Sequence, residues 1–215
     1  MLVKHRMHTQ LAIIPPETSV TAALNLLHER KIRRLPVVDA EGELVGIISE
    51  KDLLHASPSP ASSLNIHEQG YLLSRITVAD IMTKNVRTID LNAPLEEAAH
   101  IMAENKIGSL LVLDESDELV GILTETDVFT TVAEMLGAQE AGVRVTLHVP
   151  DRPGMLNTIT AKVAELGGDI TALGTLADQT PGLFFIVIKL RGVAVETLTA
   201  ALDAPDITIL DLREV

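Results

Sequence analysis

The stretch GIISEKD, Gly46–Asp52, returns as GILTETD, Gly121–Asp127. Each copy carries a glycine, two aliphatic residues, a hydroxyl residue and, three positions after the hydroxyl, an aspartate. Working outward, the chain matches itself without gaps at a displacement of 75 positions, from Val3/Val78 to Leu54/Phe129. A repeat of this length marks two copies of one supersecondary unit. Val20, Ala23, Leu24 and Leu27, and in the second copy Leu95, Ala98, Ala99 and Met102, recur at helical spacing. Two short apolar runs follow in each copy, LPVVD and LVGII, then LLVLD and LVGIL, split by polar turn residues, as in a buried hairpin. A second helix is expected to start at SEKDLL and TETDVF. Each copy therefore reads β-α-β-β-α. One copy is too small to close a good core, so the two are expected to pack sheet to sheet as a pseudo-symmetric pair.

Composition bounds the rest. A chain of 215 residues that is 47% hydrophobic can supply cores for two or three small domains. No run of eighteen apolar residues and no leader-like start is present, so no membrane role is expected and the location is read as cytoplasmic. The absence of cysteine excludes disulfides and thiolate chemistry and suits a reducing compartment. A formal net charge of -13 argues against nucleic acid as a partner. Within this acidic chain Arg30, Lys31, Arg33 and Arg34 form a basic cluster. It reads either as a solvated helix end or as a local site for a small anion.

The two heptapeptides carry a structural and a functional reading. Ser49 and Thr124 suit helix N-caps, with Asp52 and Asp127 as the acidic arm of a capping box, while Gly46 and Gly121 allow close packing. The same strand-to-helix junction offers N–H groups to a phosphate, and a carboxylate one turn inward can accept from ribose hydroxyls.

The doubled pattern, IRRLPVVD with LVGIISEKD and IGSLLVLD with LVGILTETD, resembles the CBS domain pair, or Bateman module, over residues 3 to 135. The resemblance implies adenosine-type ligands in the clefts between the two units. Carried over by position, it assigns Ser49 and Asp52 to one cleft, with Ile13, Ile14, Pro36 and Val37 near the base. It assigns Thr124 and Asp127 to the other, with Thr88, Ile89, Leu111 and Val112. Arg33 and Arg34 are the expected phosphate clamps, since a guanidinium fork matches phosphate oxygens. The second copy has Gly108 and Ser109 at those positions and Leu111 in place of Pro36, so two unequal clefts are expected.

Between the copies, HASPSPASSLNIHEQGYLLSRI is expected to end a helix, resume one and pack on the module through Leu64, Ile66, Tyr71, Leu72 and Leu73. From Val143 the pattern becomes strand, helix, two strands, helix, strand, the ferredoxin-like βαββαβ order. DRPGML (151–156), with GGDI at 167–170, resembles an ACT domain over 142–215. That resemblance implies a small effector, commonly an amino acid, at Asp151, Gly154, Met155, Leu156 and Asp169, the two acids accepting from its ammonium group. The alternative is that Asp151 caps a helix and Asp169 tops a strand. The whole order resembles the acetoin utilisation CBS-ACT family, although no residue indicates acetoin chemistry.

The expected fold class is thus α/β (α+β), a tandem CBS pair plus an ACT domain. The expected domains are 1–60 and 77–136, with 61–76 connecting them, and 142–215. No phosphate-binding loop, nucleophile elbow or H-E-x-x-H pattern occurs, and the expectation is a non-enzyme with no required cofactor. AMP, ADP, ATP or S-adenosylmethionine are the expected regulatory ligands, acting on an unknown regulated protein from a homodimer. The alternative function is a dimerisation scaffold with vestigial clefts.

Overall fold

The structure, a computed structural model, describes residues 1–56 and 75–215, and the expectations for the insert at 57–74 lie outside the described residues. The chain forms two compact units, Met1–Val128 and Phe129–Val215.

In the first unit the repeat holds down to individual hydrogen bonds. Helix α1 (Val20–Arg30), strands β1 (Arg34–Val38) and β2 (Leu44–Ser49) and helix α2 (Glu50–Ala56) make the first copy. After a short helix, α3 (Val78–Ile81), the second copy comprises β3 (Thr88–Asp90), α4 (Leu95–Asn105), β4 (Ser109–Leu113), β5 (Leu119–Thr124) and α5 (Glu125–Met135). Both hairpins are antiparallel, Arg34 opposite Ser49 in one and Ser109 opposite Thr124 in the other, and both carry an irregularity just before their last pair. In the second copy a lead strand, β3, runs parallel to the hairpin through the Ile89–Val112 pair, whereas the lead strand expected in the first copy is reduced to one isolated parallel bridge, Ile14–Val37. Lys31 and Lys106 close the first helices in the left-handed conformation, at φ 54° and 53°. At the hairpin turns, Asp39 and Asp114 side chains accept from N–H groups two and four residues on, the mark of an Asx turn.

What joins the copies is an exchange of their lead-in segments. Val3 is 0% exposed and lies in the core of the second copy, with Ile89, Ala98, Leu110 and Leu123. Its repeat mate Val78, also 0% exposed, lies in the core of the first, with Val20, Ala23, Leu35 and Ile48. The backbones follow the side chains. His8 exchanges two N–H···O bonds with Ile122, and Thr83 exchanges two with Ile47. Val3 N–H donates to Ala93 and Val78 N–H to Thr18. Gly46 and Gly121 are the places where each segment passes over the opposite hairpin. A side-chain carbon at Gly121 would come within 2.7 Å of the Met7 sulfur and 3.2 Å of the His8 carbonyl, and one at Gly46 would overlap the Met82 sulfur. The glycines of the repeated heptapeptide thus serve close approach of backbone to backbone.

The second unit has β6 (Val143–Pro150), α6 (Met155–Glu165), β7 (Asp169–Ala177), β8 (Leu183–Arg191), α7 (Val195–Leu202) and β9 (Thr208–Glu214). The sheet order is β7-β8-β6-β9 and every pair is antiparallel, the ferredoxin-like arrangement. Strict alternation along β6 places Val143, Val145, Leu147 and Val149 in the core, with Ile159 and Val163 of α6 and Leu198 and Leu202 of α7. The opposite sheet face is more polar. Its Lys189, 6% exposed, donates to the Gly137 carbonyl, which satisfies the buried ammonium.

Two outcomes are expected. Val3→Ala should lower stability by about 2 kcal/mol, as for other buried aliphatic truncations, whereas an unengaged N-terminal residue would change it by less than about 0.5 kcal/mol. Chemical denaturation distinguishes the two. Ser49→Ala and Thr124→Ala should each cost about 1 kcal/mol as lost helix caps, measured in the same way.

Candidate functional site

The heptapeptide junctions are built alike. The Asp52 Oδ2 atom accepts from Ser49 N–H at 2.9 Å and from the Ser49 hydroxyl at 2.6 Å, and Asp52 N–H donates back to that hydroxyl at 3.3 Å. In the second copy Asp127 Oδ2 accepts from Thr124 N–H at 2.8 Å and its hydroxyl at 2.6 Å, with the return bond at 3.4 Å. This is a capping box with an added hydroxyl–carboxylate bond. The carboxylate is fixed by the fold before any ligand arrives. At Asp127 the other oxygen, Oδ1, lies 2.9 Å from His8 Nε2, a contact supplied by the exchanged segment. Thr83 stands at the equivalent place in the other copy.

A cavity of about 820 Å³ opens between the copies. One wall is the exchanged segment from Met7 to Ala12, another is Arg30 to Arg34 with Pro36, and the third is Ile122, Thr124, Glu125 and Thr126. Its lining has four cations, Arg30, Lys31, Arg33 and Arg34, and one acid, Glu125. Arg34 is half-buried, and burial holds its pKa below the ordinary guanidinium value, Glu125 and Asp52 opposing that shift and Arg33 adding to it. The cluster has this place because α1 ends at Arg30 and β1 begins at Arg34, so the turn between them projects into the gap.

Several expected residues are placed differently. Arg33, Arg34 and Pro36 of the first copy share the cavity with Thr124 of the second, so Pro36 and Thr124, which the resemblance assigned to different clefts, line the same one. The reason is the segment exchange, which sets each hairpin against the other copy. Ile14, Val37, Ile89 and Val112 are core residues. Successive strand residues point to opposite faces, so of each adjacent pair only one can look outward. Pro36 lines the cavity, Ile13 and Thr88 are exposed, and Leu111 is fully buried. The role of His8 depends on a bond to Asp127, 119 positions away.

At the ACT loop, Gly154 at φ 88° is the N-cap of α6, so Asp151 is not the helix cap. Asp151 N–H donates to the Gly182 carbonyl. Met155 is 2% exposed and sits in the core, which leaves Asp151, Gly154 and Leu156 at the surface of the loop. Asp169 pairs with Arg191, beside the Val143 end of β6, whereas Asp151 follows the Pro150 end. At about 3.3 Å per residue the two acids are roughly 30 Å apart along the sheet. Within one chain they do not share one ammonium group. Near the Asp151 end, His148 faces away from the core, stacks on Phe185 with ring centroids 4.9 Å apart, and places Nε2 2.9 Å from Asp178 Oδ2. The Asp178 carboxyl is held below the usual carboxylate range, first by the Thr180 backbone N–H and, less, by His148.

Among the described residues no helix is long and apolar enough to cross a membrane. The CBS domain family matches residues 3–59 and 78–134, and the TTHA0829-like ACT domain matches 141–213. A CBS domain-containing protein of Dictyostelium discoideum is 37% identical over 136 residues, covering 63% of this chain and 94% of that one. The crystal structure of CBSX2 in complex with AMP superposes with a TM-score of 0.50 at 34% identity, over 62% of this chain and 96% of that chain. The CBS domain pair of protein MJ0100, in complex with 5'-methylthioadenosine and S-adenosyl-L-methionine, superposes with a TM-score of 0.51 at 27% identity, over 65% and 98%. A protein from Vibrio cholerae named for acetoin utilization, AcuB, superposes with a TM-score of 0.52 at 30% identity, over 65% and 95%. The chain belongs to the CBS-domain family, with its CBS pair followed by an ACT domain.

Proposed function

We propose that this chain is a ligand-sensing regulatory protein, without catalytic activity of its own, that holds an adenine nucleotide or adenosine derivative in the cleft between its CBS units. The observation that carries this reading is the cavity of about 820 Å³ lined by Arg30, Lys31, Arg33 and Arg34 and closed by the Thr124 junction. Its volume suits a small organic ligand. Its charge suits an anionic group, and the Asp127 carboxylate beside it suits ribose hydroxyls. The complexes of CBSX2 with AMP and of MJ0100 with adenosine derivatives support the same ligand class. Ser49 and Asp52 form the corresponding group of the second cleft. An amino-acid effector at Asp151, Gly154 and Leu156, no required cofactor, a cytoplasmic location and the domain division 1–60, 77–136 and 142–215 belong to the same reading. The regulated target is a protein of unknown identity.

A homodimer is part of this proposal. In the second unit, Phe129, Val132 and Met135 are 69%, 46% and 62% exposed and recur every three residues along α5. An apolar strip of this kind on a helix suits burial against a partner. Sedimentation at micromolar concentration should give twice the mass of the chain, and a monomer would remove this part of the reading.

Thermal unfolding tests the ligand. A nucleotide at one hundred times its dissociation constant adds about 2.7 kcal/mol to the native state, a rise of several degrees for a chain of this size. Asp127→Asn should abolish the shift while leaving the unliganded protein cooperative. No shift with AMP, ADP, ATP or S-adenosylmethionine would instead favour the scaffold.

A further inference from the structure

The two capping boxes differ at one atom. Asp52 Oδ2 accepts twice from Ser49, and Asp52 Oδ1 has no hydrogen-bond partner among the described residues. Asp127 Oδ2 accepts twice from Thr124, but Asp127 Oδ1 also meets His8 Nε2 at 2.9 Å. An ionised carboxylate only accepts, so the imidazole donates here through Nε2–H. This bond is not needed to orient the carboxylate, because Ser49 fixes Asp52 with the same set of bonds and no histidine. His8 is instead a removable partner. Its side chain is 65% exposed, against 16% for Asp127, so packing does not hold the ring. The segment itself is held by the two backbone bonds to Ile122, which lets the ring swing away while the backbone stays. His8 also lines the cavity, together with Thr9 and Thr124.

We propose that His8 is an internal competitor of the sugar: it holds the Asp127 oxygen that a ribose hydroxyl must take, and so sets the affinity of this cleft. The proposal rests on the adenosine-ligand reading above and goes beyond it by naming the side chain that the ligand displaces. A hydroxyl arriving at Asp127 gives up its bonds to water and must also end the bond from His8, so its net gain is smaller by one charge-assisted hydrogen bond. At Asp52 the same hydroxyl meets an open oxygen. The asymmetry comes from one repeat position, His8 in the first lead-in segment and Thr83 in the second. Both residues keep the same backbone bridge, His8 to Ile122 and Thr83 to Ile47, so the difference lies in the side chain alone. His8 belongs to the lead-in segment of the first copy and Asp127 to the second copy. Filling the cleft therefore exchanges a contact between the copies for a contact to the ligand.

Two substitutions at His8 separate competition from other roles. His8→Thr installs the residue of the repeat mate, on a backbone bridge that the first copy shows to accept it. His8→Gln keeps an N–H donor close to the place of Nε2. Isothermal titration of the native chain and both variants with AMP and with 2',3'-dideoxy-AMP measures the effect, and cooperative thermal unfolding of each variant reports an intact fold. His8→Thr should bind AMP about tenfold more tightly than the native chain, the scale of one hydrogen bond to a charged group. It should bind the dideoxy analogue no more tightly, since that ligand has no sugar hydroxyl to offer Asp127. His8→Gln should bind AMP as the native chain does. An AMP affinity that is unchanged or lower in His8→Thr overturns the competition, and an equal gain with the dideoxy analogue does the same. So does a gain in His8→Gln equal to that in His8→Thr, because the donor would then make no difference. Absence of AMP binding by all three chains counts against the reading of the cleft itself, and the proposal fails with it.

Discussion

Two reciprocal backbone bridges hold the first unit together, His8 with Ile122 and Thr83 with Ile47. Each is a pair of N–H···O bonds between the lead-in segment of one copy and the second hairpin strand of the other. Val3 and Val78 anchor the same segments in the opposite cores. Neither copy is therefore a self-contained domain in the packing sense, because each finishes the other's apolar core. The arrangement also answers why the heptapeptide begins with glycine. At Gly46 and Gly121 a side-chain carbon would press on a methionine of the opposing segment, Met82 or Met7, and come within 3.2 Å of that segment's backbone carbonyl.

The cleft follows from this exchange. Carrying residues 7–12 across to the second hairpin brings the basic turn at Arg30–Arg34 to face Thr124 and Glu125. A chain with a formal net charge of -13 thereby gathers four cations around one cavity. Local concentration of charge against the overall sign is a stronger pointer to a small anionic ligand than the cluster in the sequence, which a solvated helix end could equally explain. The capping box adds preorganisation. Asp52 and Asp127 are held by the hydroxyl and N–H three residues before them, so a ligand need not immobilise either carboxylate.

In the second unit, antiparallel register decides what the loop can do. Asp151 and Asp169 look like a matched pair in sequence because both flank strand and helix ends near glycines. The β6–β8 and β7–β8 ladders send them to opposite ends of the sheet. His148, Phe185 and Asp178 form instead the polar grouping at the Asp151 end.

By itself the sequence determined the elements and their order. The displacement of 75 positions predicts both hairpins and both capping boxes, and the pattern from Val143 predicts the βαββαβ order of the C-terminal unit, because periodicity, turn chemistry and caps act over a few residues. Only the tertiary structure decided which copy each lead-in segment completes, and hence that Arg34 meets Glu125 and His8 meets Asp127. It also decided which of Ile13 and Ile14, or Pro36 and Val37, enters the core. Alternation requires that neighbours differ, but the direction is set by where the other copy's segment comes to rest. Contacts between residues about ninety or more positions apart leave no local trace in an unaligned sequence, and the cavity between the copies is made of such contacts.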